Sequence, residues 1–206
     1  MIDIVKNKNK EMQDYAKELG FQDLYLLGKD AVLIENFKDK KDILKARKKY
    51  DFVIVFGKGI KENRQIVESF PDVILLQLNS GKDFMKERNS GLDHIICKIA
   101  SENNVAIGID LSEILNSNEK EKQVIIGRIM QNIKLCRKYK TKILLASFAS
   151  DVFELRASQD IQAFVQCLGM TPLESKNSLL IAEKIMGKNK DKKHVSYVSE
   201  GIRIVE

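Results

Sequence analysis

Histidine is scarce in this sequence: His94 and His194 are the whole complement. A multi-metal hydrolytic centre gathers several imidazoles with carboxylates. Neither histidine sits in an HxH or HExxH pattern, so such a centre has little to draw on, although a carboxylate-only magnesium site stays open. Proline is equally rare, with Pro71 and Pro172 alone, and no low-complexity stretch or linker divides the chain. The three cysteines, Cys97, Cys136 and Cys167, are far apart, odd in number and form no CxxC pair. That spacing excludes a disulfide framework, and buried or half-buried free thiols in a reducing cytoplasm are expected. No apolar run approaches the roughly 20 residues that span a bilayer. The start, Met1-Ile2-Asp3-Ile4-Val5 followed by Lys6, Lys8 and Lys10, lacks the apolar core of a secretory leader.

What is present is an ordinary globular balance with extra charge. The length of 206 residues fits one domain, 1–206, and 35 Lys and Arg against 29 Asp and Glu leave a net charge of +6. That balance favours polyanionic partners without proving one. Apolar periodicity alternates between two patterns. Residues 2–5, 24–27, 52–56, 73–76, 105–109 and 143–146 are short apolar runs with the look of strands buried on both faces. Residues 31–34 are expected to pair back as a small extra strand. Between the runs lie helical stripes: Met12, Tyr15, Ala16 and Leu19; Leu92, Ile95, Ile96 and Ile99; Ile125, Ile129, Ile133 and Cys136 in a helix over 119–139. Ser158 is expected to cap a further helix, and Thr171-Pro172-Leu173-Glu174 has the form of a capping box with proline at the first helical position. That last helix is expected to end at Gly187, with a charged loop over 188–193 and a final strand bearing Ile202, Ile204 and Val205. Strand–helix alternation predicts an α/β fold on a parallel sheet. Periodicity leaves a barrel and an open doubly wound sheet equally open.

Few residues carry recognisable chemistry. Asp110 ends a strand, where barrel enzymes place catalytic groups, but an aspartate there also serves simply to turn the chain. Asp3 reads as a possible ligand or as a rim carboxylate with a hydrogen-bond partner. Gly57-Lys58-Gly59 follows a buried strand, yet a dinucleotide loop needs a third glycine where Glu62 stands, so a tight turn is the better reading. No serine nucleophile elbow is present. The cations are more informative. Lysine-rich runs fall at 45–49, 134–142 and 188–193, and part of each suits a helix C-terminus electrostatically. Arg88, Arg128 and Arg156 stand outside the lysine runs and offer planar forks for phosphate.

Two stretches, Asn89-Ser90-Gly91-Leu92-Asp93-His94 and Val105-Ala106-Ile107-Gly108-Ile109-Asp110-Leu111, resemble ribonuclease P protein component 3 of archaea. The likeness continues through Arg137-Lys138-Tyr139-Lys140, Leu144-Leu145-Ala146-Ser147, Glu154-Leu155-Arg156 and Leu168-Gly169-Met170 to Gly201-Ile202-Arg203-Ile204-Val205. It covers roughly residue 89 onward; the first half agrees in length and strand order. Two departures stand out. Ala157-Ser158 replaces the family's usual Ser-Pro, which loses a rigid turn and keeps the serine cap, and Phe148 stands where the family has a glycine, so the resemblance does not fix the local backbone there.

The resemblance implies a TIM-barrel-like (β/α) barrel related to the polymerase-and-histidinol-phosphatase class, without that class's metal-binding histidines. It implies a subunit of ribonuclease P, the endonuclease that removes 5′ leaders from precursor tRNA. Catalysis would lie in the RNA subunit with its magnesium, with no cofactor and no catalytic residue in this chain. Expected partners are the ribonuclease P RNA, ribonuclease P protein component 2 as a pair of heterodimers, the other ribonuclease P proteins and precursor tRNA, with no membrane. Beside these matched motifs, Arg88, Arg128, Lys142 and Arg156 are expected to contact RNA. The competing expectation is a free-standing, metal-dependent barrel phosphoesterase drawing on Asp3, Asp110 and His94.

Overall fold

A computed structural model describes residues 1–85, 87–193, 197–199 and 202–203. His194, Gly201, Ile204 and Val205, singled out above, lie outside the described residues. The short apolar runs form β1 (Ile2–Val5), β2 (Asp23–Leu26), β3 (Val32–Ile34), β4 (Val53–Phe56), β5 (Val73–Leu75), β6 (Ala106–Asp110) and β7 (Ile143–Ala146). β3 to β7 make one parallel sheet in sequence order, and β1 pairs parallel with β2 from Ile2–Asp23 to Val5–Leu26. Single bridges, Val5 to Ala149 and Leu27 to Ala31, link the two sheets. The Phe148 N–H adds a bond to the Ile4 carbonyl at 2.8 Å. Seven parallel strands thus follow one another in a barrel-like ring whose two joins are bridges, not full ladders. Residues 31–34 are therefore no appendage: β3 pairs with β4 from Val32–Val53 to Ile34–Val55.

Helices follow the strands: α1 (Lys10–Glu18), α2 (Lys40–Lys49), α3 (Ile60–Glu68), α4 (His94–Glu102), α5 (Leu111–Asn116), α6 (Glu119–Tyr139), α7 (Ser158–Cys167) and α8 (Pro172–Lys193). Side chains that accept N–H groups at the open first turn start most of them: Asn9, Asp39, Asp93, Asp110 and Asn118. The α7 start departs from expectation. Ala157 occupies the cap position without a side-chain bond. Ser158 is instead the first helical residue, buried, with its N–H bonded to the Leu19 carbonyl at 3.0 Å.

Alternation along each strand splits the core in two. Val53, Val55, Ile74, Ile107 and Leu145 face α1 to α7. Ile4, Ile54, Val73, Leu75, Leu144 and Ala146 face the other way and meet Ile181, Ala182 and Met186 of α8. α8 packs against both β7 and β1. It does not stop at Gly187. A glycine in a helix interior costs about 1 kcal/mol, and tertiary bonds outweigh it. Asn189 Nδ2 donates to the Asp51 carbonyl (2.9 Å) and Asp72 Oδ1 (3.0 Å), and Lys193 Nζ lies 2.7 Å from Asp51 Oδ1. Near the chain end, β8 (Tyr197–Ser199) and β9 (Ile202–Arg203) pair antiparallel. Cys97 and Cys136 are buried as expected of free thiols, whereas Cys167 is exposed.

Candidate nucleic-acid interface

The C-terminal ends of β1, β6 and β7 gather a polar cluster. Asp3 Oδ1 accepts from the N–H groups of Ile4 (2.9 Å) and Ser147 (2.8 Å), while Asp3 Oδ2 is buried with no partner. Burial pushes the Asp3 carboxyl up to about 6, with the nearby Asp110 charge adding to the effect. Burial also raises Asp110, and it takes Glu113 up to about 7 with Asp110 contributing. The countercharge is Lys6, whose Nζ donates to Ser112 Oγ at 2.9 Å and lies 3.5 Å from Asp110 Oδ2. Ser112 Oγ in turn donates to Asp110 Oδ1 at 2.7 Å. Asp110 also caps α5 by accepting from Glu113 N–H at 3.2 Å. Both readings of Asp110 therefore hold in part: it sits on the strand-end rim, and it turns the chain into a helix. Among the described residues no group of three or more His, Cys, Asp or Glu is placed to hold a metal ion. His94 is an exposed first residue of α4, at the start of the helix that Asp93 caps.

The four cations singled out for RNA contact fall in three places. Arg128, on α6, is fully buried. Its Nε and Nη2 lie 2.8 Å from Asp83 Oδ1, and its Nη1 and Nη2 donate to the carbonyls of Leu78, Ser80 and Gly81 at 2.7–2.8 Å. Every donor of the guanidinium is engaged in holding the loop after β5. Direct RNA contact does not fit Arg128 in this fold, because no fork is left to offer and no face is open. A helix position followed by a lysine-rich stretch gives no sign of that burial.

Arg88 meets the other oxygen of the same carboxylate, with Nη1 3.1 Å from Asp83 Oδ2, and nearly half its side chain is exposed. Gln131 of α6 clamps its backbone from both sides, accepting from Arg88 N–H at 2.9 Å and donating to its carbonyl at 3.0 Å. Lys142 is exposed at the opposite, N-terminal end of β7, with Nζ 3.2 Å from Asn104 Oδ1. Arg156 is exposed beside an apolar cleft of Leu111, Ile114, Leu115, Ile161 and Phe164. Its Nη1 donates to the carbonyls of Phe153 (2.6 Å) and Leu155 (2.7 Å). The structure brings Arg88 and Arg128 together and keeps Lys142 and Arg156 apart from them.

The lysine-rich run at 134–142 also divides. Arg137 turns to α8, with Nε and Nη2 at 2.7 and 2.6 Å from the two oxygens of Glu174. Lys134 and Lys138 line a separate groove with Arg88. The signal for that groove is a glycine inside the α6 stripe, Gly127, which apolar periodicity does not weigh.

The fold is that of a (β/α) barrel-like protein, and the chain is a basic member of that class, with a net charge of +6. Comparison with known proteins narrows the class to a family. The family model described as RNase P subunit p30 matches residues 9–194. Ribonuclease P protein component 3 of Methanococcus maripaludis (strain C6) is 32% identical over 167 residues, covering 81% of this chain and 69% of that protein. The protein of the same name from Methanothermobacter thermautotrophicus is 28% identical over 202 residues, covering 96% and 75%. This chain belongs to the RNase P subunit p30 family and is a protein subunit of ribonuclease P. A chain in the cryo-EM structure of an archaeal ribonuclease P with mature tRNA superposes with a TM-score of 0.83 at 22% identity, covering 100% of this chain and 98% of that one. Aspergillus niger ochratoxinase shares the fold more distantly, with a TM-score of 0.51 at 12% identity over 76% of this chain and 39% of that one. Among the described residues no helix is long and apolar enough to cross a membrane.

Proposed function

We propose that this chain works inside the ribonuclease P holoenzyme as a structural and electrostatic support for its RNA. The RNA subunit, with its magnesium ions, removes the 5′ leader of precursor tRNA. This chain pairs with ribonuclease P protein component 2, as two heterodimers, and binds no cofactor of its own. The observation that carries the reading is the family match over residues 9–194, on a chain whose net charge is +6. Arg88, Lys142 and Arg156 contact RNA backbone, where cations offset phosphate repulsion as the RNA compacts. A reducing cytoplasm suits the three free thiols.

Reconstitution tests this. Cleavage of precursor tRNA by the cognate RNA and component 2 is measured with and without this chain across a magnesium titration. Greater cleavage at limiting magnesium, with none by the chain alone, is the expected result. Neutralising Arg88, Lys142 and Arg156 together lowers activity most at low magnesium. No gain from adding the chain sinks the proposal, and metal-dependent phosphoesterase activity of the isolated chain would replace it.

A further inference from the structure

Gly127 stands in the middle of a 21-residue helix, where glycine is a poor choice for stability. A Cβ built there would collide with Arg88 Cζ and lie 2.6 Å from its Nη1 and 2.7 Å from its Nε. The missing side chain is the space in which the Arg88 guanidinium lies against the helix backbone. Asp83 holds the same guanidinium at its tip, and Gln131 holds the Arg88 backbone at its base. Arg88 is therefore a cation fixed in place before any ligand arrives. Lys134 and Lys138 are exposed, and, four residues apart, they are neighbours on one helix face. They continue the line from Arg88 along one groove. Among the described residues the groove has no acidic and no aromatic lining.

We infer that the groove formed by Arg88, Lys134 and Lys138 is a phosphodiester-backbone site for a duplex segment of the ribonuclease P RNA. The inference rests on the proposed function and adds to it a place and a positioning residue, Gly127. A line of cations with no stacking platform suits paired RNA, which is recognised through backbone and shape, and not unstacked bases, which need aromatic faces. The lack of aromatic anchors in the groove lining also argues against a protein partner. Preorganisation of Arg88 lowers the ordering cost of binding, which suits a permanent partner better than a substrate that must leave.

The test uses full-length protein paired with component 2 and measures its affinity for the RNA subunit and for precursor tRNA against salt. Lys134→Gln with Lys138→Gln lowers the salt slope for the RNA subunit by about two, one for each phosphate no longer neutralised. Gly127→Ala drives the guanidinium out of its seat and away from Asp83, the side chain being long enough to yield. It weakens RNA-subunit binding while leaving thermal stability equal or higher, since alanine favours the helix. Lys17→Gln on α1 serves as the charge control and changes neither. Unchanged slope and affinity in both groove variants, with a wild-type pair that binds and stimulates normally, overturn the groove and leave the proposed function standing. A wild-type pair that binds no RNA overturns both. Loss confined to precursor tRNA, or to pairing with component 2, moves the site to that partner and overturns the assignment made here.

Discussion

The Arg128 guanidinium and the Asp83 carboxylate, 45 residues apart in sequence, meet at 2.8 Å through Nε on one side and Oδ1 on the other. Arg128 is sealed in the interior, while about a quarter of the Asp83 side chain remains exposed. The pair fastens the loop after β5 to α6, and it leaves Asp83 Oδ2 free to orient Arg88 at the surface. One carboxylate therefore joins a buried arginine to an exposed one.

Removing Arg128 leaves Asp83, among the described residues, only Arg88 and the Asn89 N–H as partners and frees three carbonyls at once. Arg128→Ala is expected to destabilise the protein by about 3 kcal/mol, chiefly through the carbonyls of Leu78, Ser80 and Gly81 losing their donor. Arg128→Lys recovers only part, because an ammonium cannot fork to so many acceptors. Urea unfolding of both variants checks this, and a cost below about 1 kcal/mol would show that the loop has other support.

Phe148 is fully buried yet holds φ at +48°, a conformation that glycine adopts far more easily. Phe148 thus takes the left-handed conformation that a glycine would adopt, and the strain is offset by burial of the ring among Ile4, Leu144 and Ala146. Phe148→Ala keeps the strain and loses the packing, at about 3–5 kcal/mol. Phe148→Gly loses the packing but relieves the strain, so it should be the milder variant by about 1 kcal/mol. Thermal unfolding ranks the two, and the reverse order would contradict the account.

Asp3 gives a pH signature. Its folded carboxyl sits at about 6, above the unfolded value of about 3.9. Between these values the native state binds more protons than the unfolded one, so the Asp3 contribution is fully present below about pH 4 and is lost as pH rises through about 6. Asp3→Asn cannot ionise. Its stability relative to wild type should improve between about pH 4 and pH 7, by up to about 3 kcal/mol. Asp110 and Ser147 surround the group in both proteins. A stability difference flat with pH would mean that Asp3 is ionised throughout.

The Glu174 clamp on Arg137 behaves oppositely. The bidentate bond from Arg137 holds the Glu174 carboxyl down to about 2, so its contribution is present above about pH 4.3 and fades as pH falls through about 2. Both side chains are at least a third exposed, and solvent screens the pair. Glu174→Gln should cost only about 0.5–1 kcal/mol at neutral pH, shrinking further in about 1 M salt. A cost that is independent of salt would assign the loss to the Thr171–Glu174 cap instead.

Legibility follows the range of each interaction. The capping box at Thr171 and Glu174 and the turn at Gly57 involve near neighbours in sequence, and they are readable as spacing. Asp110 is readable as a strand-end acid, and its three-residue offset from Glu113 holds the sign of α5, a helix too short to show a stripe. The length of α8 is not readable, because Gly187 is a local stop signal and the bonds that override it reach back to Asp51 and Asp72.

The amino-acid sequence by itself determined the alternation of buried strands and helices, the basic balance and, through its ordered motifs, the family. Those properties rest on local periodicity, total charge and residue order, none of which needs a partner from elsewhere in the chain. Only the tertiary structure decided that Arg128 is internal while Arg88 is presented, that Lys6 neutralises Asp110 from 104 residues away, and that Gly127 is a seat for a guanidinium. Each of these is set by desolvation and by which side chain a folded neighbour leaves room for, and those are properties of the packed chain.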